Sequence, residues 1–496
     1  MLQRLLLCTC LLAGITLSGI AQDAASITKT LETALRDRKP DIIQPYLSED
    51  FSVGVYGAPY ALSIVKRLIT TYDTLEKLQF KKVITTPKGK SILLKCYYQQ
   101  QPPFEATLPL DSAGKIMRIS FFDRLYGVDL SKTSRLVAVI PFEFTQKKIV
   151  LKLTLNNSKR VLRFLFDTGA DGMGLKKSVA DELGIVAKRQ QQTSVVGAST
   201  EIGIASGIDM HFDTLTIANQ NSALFPNFDE DLDGLFGANF LRNYITAIDF
   251  DKSEIRLYTF GQFAYPVGGT AVALDYSRGV PGIKGEVKLN NQEVLQGDFH
   301  FDTGAGYPLI LFGPSVNRHH LTDNFEVQYY STNYSMGHAS PVSSGIFDYL
   351  KIGGLQLNYF TGTLQSYRAG DEKWSPGGDG SFGIELIRNF NCIINLADKQ
   401  FYLTPNKNYF QPADFWLRDV QWGFDNGEMV IKQITTGSSA ANSGASVKDV
   451  VMSINGIKAA DFKNVDNIKK YLSAWKNSPL ELEINKFGKP WKVDIE

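Results

Sequence analysis

The sequence predicts a multidomain, mainly-β protein with a small α+β region before the β-rich centre and a compact region after it. Between about Ser134 and Pro405, short apolar stretches recur every eight to twelve residues with Gly, Asn and Asp between them, a pattern typical of all-β domains. The same stretch contains an internal repeat. A chain of 496 residues with 44% hydrophobic content is long enough to bury several separate cores.

Residues 1–21 have the pattern of a secretory signal peptide. A basic Arg4 precedes an apolar run from Leu5 to about Leu17, and small residues then offer a cleavage site. The run is shorter than the ~20 residues that a membrane-spanning helix needs, which disfavours a retained anchor. Neither cysteine of this segment follows the small residue that a lipoprotein signal requires. The sequence therefore predicts export, to the periplasm, the cell surface or the medium.

Charge and cysteine content exclude several classes of partner. The 52 basic and 51 acidic residues give a net charge of +1, so nothing favours binding to nucleic acid or to an anionic membrane. Without residues 1–21, only Cys96 and Cys392 remain, in different predicted domains, which excludes a disulfide framework. The adjacent His319 and His320 lack the spacing of zinc ligands. We expect no metal and no cofactor, and a protein or peptide as the partner.

The region 22–126 is predicted to be a small α+β domain. SITKTLETALRDR has apolar residues at helical spacing, whereas KSILLKCYYQQ and GKIMRISFFDRL follow strand patterns. This order of helices and strands resembles the NTF2-like fold. The region has no cluster of acid, base and nucleophile, so we expect a structural or binding role.

The internal repeat divides the central region into two predicted lobes, 134–262 and 263–405. FLFDTGA (164–170) recurs as FHFDTGA (299–305), and DGLFGANFLRNYITAIDF (233–250) recurs without gaps as DGSFGIELIRNFNCIINL (379–396). Two motifs repeated in the same order and at similar spacing indicate two copies of one lobe in tandem.

Each Asp-Thr-Gly triplet predicts a carboxylate that projects from a strand end, because the glycine permits a tight turn there. One such aspartate is only an exposed acid. Two related by a two-fold axis would bring Asp167 and Asp302 together, and like charges that close cannot both ionise. The ionised member can then take a proton from water while the protonated member donates to a carbonyl oxygen, which is what peptide hydrolysis requires.

These motifs resemble those of the aspartic peptidases, the retropepsins and their bilobal pepsin-like relatives. The resemblance implies a bilobal aspartic-protease fold with catalytic Asp167 and Asp302 in one chain, active as a monomer. It also implies that the threonine and glycine of each triplet support the two aspartates. The hydroxyls of Thr168 and Thr303 would cross to the opposite lobe's backbone, beside Gly169 and Gly304.

The resemblance further implies substrate-binding positions. Asp171 matches a residue that binds the substrate backbone, whereas the second lobe has Gly306 there. Flexible hairpins over the cleft would come from TSVVGASTEIG and YSMGHASPVSSG, with Val196, Gly197, Met336 and Gly337 at their turns.

Arg242, Arg388, Phe236, Phe382, Ile248 and Ile394 recur in the second motif of the repeat. The two arginines are predicted to be structural, bonding loop carbonyls at the base of each lobe. The four apolar residues are predicted to lie in the core.

Residues 412–496 are predicted to form a third domain. Strands at MVIKQI, VVMSING and LELEINK surround the short segment SSAANSGA and a helical pattern, NVDNIKKYLSAWK. The stretch SAANSGASVKDVVMSINGIKAADF resembles PDZ domains of exported bacterial proteases. That resemblance places a carboxylate-binding loop at Trp422, Gly423 and Phe424, where a peptide C-terminus is the candidate ligand.

The sequence leaves three functional readings to compare. The favoured one is an aspartic endopeptidase assisted by the PDZ-like region. A catalytically inactive bilobal peptide-binding or scaffold protein is the alternative, which two intact DTG triplets disfavour. A glycosidase using the same two acids is disfavoured because glycosidase carboxylates sit about 5 Å or more apart.

Overall fold

The computed structural model describes residues 23–496 except 87–88, 196–197, 227–230, 336–337, 368–374, 426, 476 and 487. The predicted signal peptide, 1–21, lies outside the described residues. The described chain is mainly β, with several sheets and some helices, as the sequence predicts. It divides into two compact units: the chain up to Arg135 with Thr259–Ala264, and Leu136–Tyr258 with Tyr265–Glu496.

The first unit packs helices against short sheets. A helix covers 23–36, and the other helical segments are Pro40–Ile42, Gln44–Tyr46, Tyr60–Thr71 and Ser120–Arg124. The strands are β1 (Leu47–Ser52), β2 (Leu75–Thr86), β3 (Gly89–Tyr98), β4 (Gln101–Pro109), β5 (Ile116–Arg118), β6 (Val128–Thr133) and, from the later stretch, β18 (Phe260–Gln262). β2, β3 and β4 form an antiparallel sheet, β1 pairs with β5, and β6 pairs with β18.

Two sequence predictions differ from this arrangement. GKIMRISFFDRL forms a strand only at Ile116–Arg118, and Ser120–Arg124 is helical. Phe121 and Phe122 are both buried in the core of this unit, which the alternating exposure of a strand would not allow. The predicted first lobe, 134–262, also ends in residues that the structure groups with the N-terminal unit, because β18 pairs with β6.

The first copy of the repeat forms an eight-stranded sheet in the order β12-β13-β14-β11-β15-β10-β9-β8. Its strands are β8 (Glu143–Thr145), β9 (Lys148–Leu155), β10 (Leu162–Phe166), β11 (Met173–Lys176), β12 (Arg189–Val195), β13 (Ala198–His211), β14 (Thr216–Phe225) and β15 (Gly234–Phe236). Short helices at Lys177–Glu182 and Ala238–Leu241 complete it.

The second copy belongs to a thirteen-stranded sheet in the order β23-β24-β25-β22-β26-β21-β20-β19-β28-β27-β16-β17-β7. From the part of the chain that precedes the second copy come β7 (Leu136–Pro141), β16 (Ile245–Asp249) and β17 (Glu254–Tyr258). The others are β19 (Thr270–Asp275), β20 (Gly282–Leu289), β21 (Val294–Phe301), β22 (Leu309–Leu311), β23 (Tyr329–Ser335), β24 (His338–Ile352), β25 (Leu355–Gln365), β26 (Gly380–Phe382), β27 (Phe390–Asn395) and β28 (Gln400–Pro405). Short helices cover Gly313–Arg318 and Ile384–Ile387.

The two copies have the same strand pairing. β10 runs parallel to β15 as β21 does to β26, and β11 pairs with β14 and β15 as β22 does with β25 and β26. The copies meet where β16 pairs antiparallel with β27, opposing Thr246 to Ile394 and Ile248 to Cys392. Exchanging equivalent positions maps this pairing onto itself, so a local two-fold axis runs through it. The sequence repeat is therefore also a structural one.

The C-terminal region forms its own sheet within the second unit. Strands β29 (Phe415–Leu417), β30 (Val420–Asp425), β31 (Glu428–Ile434), β32 (Val450–Ile454), β34 (Leu480–Lys486) and β35 (Lys489–Ile495) follow one another in space, and β33 (Ile457–Lys458) pairs with β32. Helical segments lie at Ser439–Asn442, Ala459–Lys463 and Val465–Trp475. The three predicted strands are confirmed, and the predicted helical pattern forms the helix Val465–Trp475.

This region packs directly on the second copy of the repeat. Ile346 of β24 lies in its hydrophobic core, and Tyr359 of β25 packs against that core. The rings of Tyr329 and Trp416 are 4.3 Å apart. Strand β23, which carries Tyr329, is thus held at its start by the C-terminal region.

Candidate active site

Asp167 and Asp302 occupy equivalent places at the ends of β10 and β21. The backbone N–H of Asp167 donates to the carbonyl of Phe236 at 2.9 Å, and that of Asp302 donates to Phe382 at 2.9 Å. Phe236 and Phe382 end the parallel neighbour strands β15 and β26 and are fully buried, as predicted for core residues. Each aspartate is therefore held by a hydrogen bond to the neighbouring strand, whose last residue is a phenylalanine buried in the core.

The two carboxyls meet across the boundary between the copies. A carbon added to Gly169 would lie 2.6 to 2.8 Å from the carboxyl atoms of Asp302. A carbon added to Gly304 would lie 2.5 Å from both carboxyl oxygens of Asp167. Each carboxyl thus sits over the glycine of the opposite triplet, a fit that leaves no room for a side chain. The glycine N–H groups also donate to their own aspartates, at 2.9 Å for Gly169 and 2.8 Å for Gly304.

The two threonines join the copies beneath the carboxyls. The Thr168 hydroxyl donates to the Phe301 carbonyl at 2.5 Å, and the Thr303 hydroxyl donates to the Phe166 carbonyl at 2.8 Å. Each hydroxyl also accepts the other threonine's backbone N–H at 3.0 Å. Both residues are fully buried, so these four bonds form without competition from water. The crossing bonds predicted for Thr168 and Thr303 are confirmed.

Burial and mutual repulsion raise the proton affinity of the pair. The pKa of Asp167 lies well above its usual value, first because of burial, then because of the Asp302 charge and a hydrogen bond between the carboxyls. The pKa of Asp302 is also raised by burial, although the bond with Asp167 and the N–H of Gly304 favour its ionised form. The pair therefore titrates as one unit and retains a shared proton to higher pH than ordinary carboxyls.

Two further glycines allow the supporting strands to pass close to the aspartate loops. A carbon added to Gly237 would overlap the backbone carbonyl of Asp167, and one added to Gly383 would overlap that of Tyr307. Leu235 and Ser381, which hold equivalent places before the Phe-Gly pairs, are both buried. The polar Ser381 is thus accommodated within the second supporting strand.

Asp171 is engaged within the protein. Its Oδ1 accepts a hydrogen bond from Nη2 of Arg242, and Gly279 of the second copy packs against its carboxyl. Burial raises the pKa of Asp171, and Arg242 partly opposes the shift. The Arg242 guanidinium also lies 5.8 Å from the centre of the Tyr276 ring. The sequence analysis predicts that Arg242 bonds loop carbonyls. The structure shows a hydrogen bond from Arg242 to the carboxylate of Asp171.

Arg388, the counterpart of Arg242, makes an equivalent ring contact. Its guanidinium lies 5.8 Å from the centre of the Phe144 ring, which belongs to the first copy. Each arginine therefore reaches an aromatic residue of the opposite copy. Gly306 offers Arg388 no carboxylate, so the Asp171–Arg242 pair has no counterpart at the equivalent position of the second copy.

Both predicted flap segments form antiparallel hairpins. β12 pairs with β13 up to Val195 and Ala198, and β23 pairs with β24 up to Ser335 and His338. The predicted substrate-binding turns, Val196–Gly197 and Met336–Gly337, lie outside the described residues.

Tyr307 is a residue at the site that the sequence analysis missed. Burial raises its pKa, and the negative charges of Asp302 and Asp167 raise it further. Its hydroxyl therefore stays neutral near the pair. The available signal was its place five residues after Asp302, where the first copy has Gly172.

The structure corrects the placement of a carboxylate-binding loop at Trp422, Gly423 and Phe424. These residues lie within β30 and pair with β31, and Trp422 also pairs with Phe415 on its other edge. Trp422 is fully buried. Backbone groups that a strand ladder already uses cannot cup a peptide C-terminus as a free loop would.

The described residues contain neither a cluster of metal-ligating side chains nor a helix suited to cross a membrane. No group of three or more His, Cys, Asp or Glu side chains among them could hold a metal ion. No helix within the same residues combines the length and the apolar character that crossing a membrane requires.

Comparison with known proteins identifies part of this architecture. Residues 151–240 match a family model described as aspartyl protease, Asp_protease_2. The match spans β10 to β15 and includes Asp167 and the Phe236-Gly237 pair. A search of curated proteins found no match. The family match supports an aspartic protease and, with it, peptidase activity.

Proposed function

We propose that this chain is an exported aspartic endopeptidase in which Asp167 and Asp302 together activate water. The single observation that carries the proposal is the meeting of the two carboxyls over the opposite glycines, with the two threonine hydroxyls crossing beneath them. A protein that only bound peptides would gain nothing from two buried acids in mutual repulsion. Both acids come from one chain, which supports activity as a monomer without metal or cofactor.

The chemistry follows from the shared proton. The ionised carboxylate takes a proton from a water molecule as that water attacks the scissile carbonyl carbon, while the protonated carboxyl donates a hydrogen bond to the carbonyl oxygen. The proton taken from water then passes to the leaving amine as the C–N bond breaks. The threonine bonds keep the carboxyls in place, so little reorganisation is needed at the reacting atoms.

The working pH follows from the direction of the shifts. Activity requires one proton on the pair, so it falls at low pH when both carboxyls are protonated and at high pH when both are ionised. Raised pKa values move both limits upward. Ala170 and Ala305 act in the same direction, because they lack the hydroxyl that would stabilise an ionised carboxylate. We therefore expect activity at weakly acidic to neutral pH.

Digestion of unstructured casein tests this function. The purified mature chain is incubated from about pH 4 to about pH 8 with pepstatin, with a chelator or with a serine-protease inhibitor. We expect cleavage that pepstatin alone blocks and that persists toward neutral pH. Cleavage blocked by one of the other reagents, or confined to strongly acidic pH, would contradict the proposal.

The alternative function is an inactive bilobal peptide-binding or scaffold protein. Its most direct support is the packing of the C-terminal region on β23, β24 and β25, which gives that region a structural role. Under this alternative, casein would bind without being cut at any pH. The intact and braced pair of carboxyls favours the peptidase.

The accessory regions complete the proposal. We propose that residues 412–496 act as a PDZ-like module that helps to bind substrate or partner peptides, and that residues 22–126 form an NTF2-like domain. The strand order and helices of each region support these assignments. The signal-peptide pattern of residues 1–21 supports export to the periplasm, the cell surface or the medium.

A further inference from the structure

A cavity opens beside the second catalytic strand. It has a volume of about 220 Å³, and its lining includes Arg278, Val280, Ile283, Lys284 and His300. Alternate residues of a strand share a face, so His300 in β21 points to the same side as Asp302, about 7 Å along the chain. An extended peptide has a similar rise per residue. A side chain next to a scissile bond held at Asp302 can therefore reach this cavity.

The charged groups of the cavity differ in whether they form an ion pair or a hydrogen bond. Lys284 is neutralised by Asp298 at 2.7 Å, and Asp275 accepts from the N–H and hydroxyl of Ser277 at 2.9 and 2.8 Å. Within the described part of the chain, the Arg278 guanidinium has no carboxylate within ion-pair distance. Asp275 and Asp298 line the cavity together with Arg278 and Lys284, so their formal charges cancel, but no described carboxylate contacts the Arg278 guanidinium.

His300 adds a buried nitrogen. Its Nε2 is buried and, among the described residues, has no hydrogen-bond partner. Burial and the nearby Arg278 charge lower the pKa of His300 to about 4, so the ring is neutral at the working pH. A neutral imidazole can offer an N–H donor there without adding a second charge. Gly377 completes the wall, because a carbon added there would press on both Arg278 and His300.

The equivalent cavity of the first copy is different. It is lined by Lys148, Val150, Arg163 and Leu232, among others, but its arginine is paired with Glu143 at 2.8 Å. The position of His300 is taken by Leu165, which is buried against Val150 and Leu232. Among the described residues, only the second copy combines an imidazole at this place with a guanidinium that no carboxylate reaches within ion-pair distance.

We infer that the cavity at Arg278 and His300 is a specificity subsite for an acidic substrate side chain, Glu or Asp, next to the scissile bond. This inference rests on the proposed peptidase function and adds a substrate class to it. The carboxylate would receive charge-assisted hydrogen bonds from Arg278, which a Gln or Leu side chain cannot match. The cavity of the first copy, whose Arg163 is paired with Glu143, would lack this preference, so the subsite would make cleavage directional along the substrate.

Matched peptides test the inference. Glu, Gln and Leu are placed in turn at each of three positions on either side of a cleavable bond, and kcat/KM is measured for the parent chain. One flanking position should favour Glu over Gln by ~10 to ~100-fold, the range expected for a hydrogen bond to a charged group. Arg278→Ala should reduce this ratio to near one and spare the Leu peptide. His300→Leu, which installs the residue of the first copy, should reduce it in part.

The control is Arg318→Ala, which removes a guanidinium that pairs with Asp379 and does not line the cavity, and it should leave the ratio unchanged. A parent enzyme without acidic preference at any position, or a preference that survives Arg278→Ala, would overturn the inference. If the parent cuts no peptide, the proposed function fails, and calorimetry of the same peptides with the Asp302→Asn chain still decides the subsite. Tighter binding of the Glu peptide supports it, and equal binding of Glu and Gln peptides overturns it.

Discussion

Asp167→Asn and Asp302→Asn should each lower kcat toward casein by about 10⁴-fold, the upper end of what a positioned acid–base group contributes. An amide in either place can neither take a proton from water nor share one with its neighbour. Because the two carboxyls act as one unit, the double variant should be no less active than either single variant. The measurement is the initial rate of cleavage at the pH optimum of the parent chain.

The control for these variants is Asp181→Asn. Asp181 is an exposed carboxylate of the first copy whose partner is Lys177, four residues earlier, so its loss should leave the rate unchanged. Thermal unfolding of all variants shows whether the fold is kept. Removing either buried carboxyl relieves desolvation and repulsion, so neither catalytic variant should unfold at a lower temperature than the parent. Substantial activity in one of the two would mean that the site works with a single acid.

Gly304→Ala should lower kcat/KM by about 100-fold, the order expected when a reacting group is displaced by about 1 Å. The added methyl group would lie 2.5 Å from both carboxyl oxygens of Asp167, so that carboxyl must move. The change adds no charge and removes no catalytic group. Its effect therefore reports directly on the distance between the two halves of the site.

Gly306→Ala is the matched control for this variant. It makes the same substitution two residues later in the same loop, where an added carbon would meet nothing within 4 Å. We expect its kcat/KM to stay within about twofold of the parent value, as for surface changes of small effect. Equal losses in both variants would show that the loop as a whole, and not the approach to Asp167, limits activity.

The candidate active site could be predicted from the sequence because its signals are local and occur twice. An Asp-Thr-Gly triplet that follows strand residues marks the end of a strand, and each triplet has a Phe-Gly pair downstream. Because the motif occurs twice, the aspartate of one copy is the expected partner of the aspartate of the other. The bonds of Thr168 and Thr303 are what the resemblance to the aspartic peptidases implies. Gly237 and Gly383 also occupy equivalent positions of the repeat, but only the structure shows which backbone carbonyls they approach.

Features that depend on contacts distant in sequence could not be predicted in this way. Strand β18 pairs with β6, more than a hundred residues earlier, so the boundary near residue 262 has no local signal. Trp422-Gly423-Phe424 has the composition of a binding loop, but the neighbouring strands β29 and β31 make it part of a ladder. His300 stands where the first copy has Leu165. Only the structure shows that Arg278 and His300 line the same cavity.

The measurement that tests the central claim most directly is the activity of an equimolar mixture of the Asp167→Asn and Asp302→Asn chains. If each chain builds its own site from both copies of the repeat, every site in the mixture lacks one acid, and casein stays uncut as with either variant alone. If instead two chains share a site, mixing would bring an intact Asp167 and an intact Asp302 together. Recovery of pepstatin-sensitive cleavage on mixing would contradict the account.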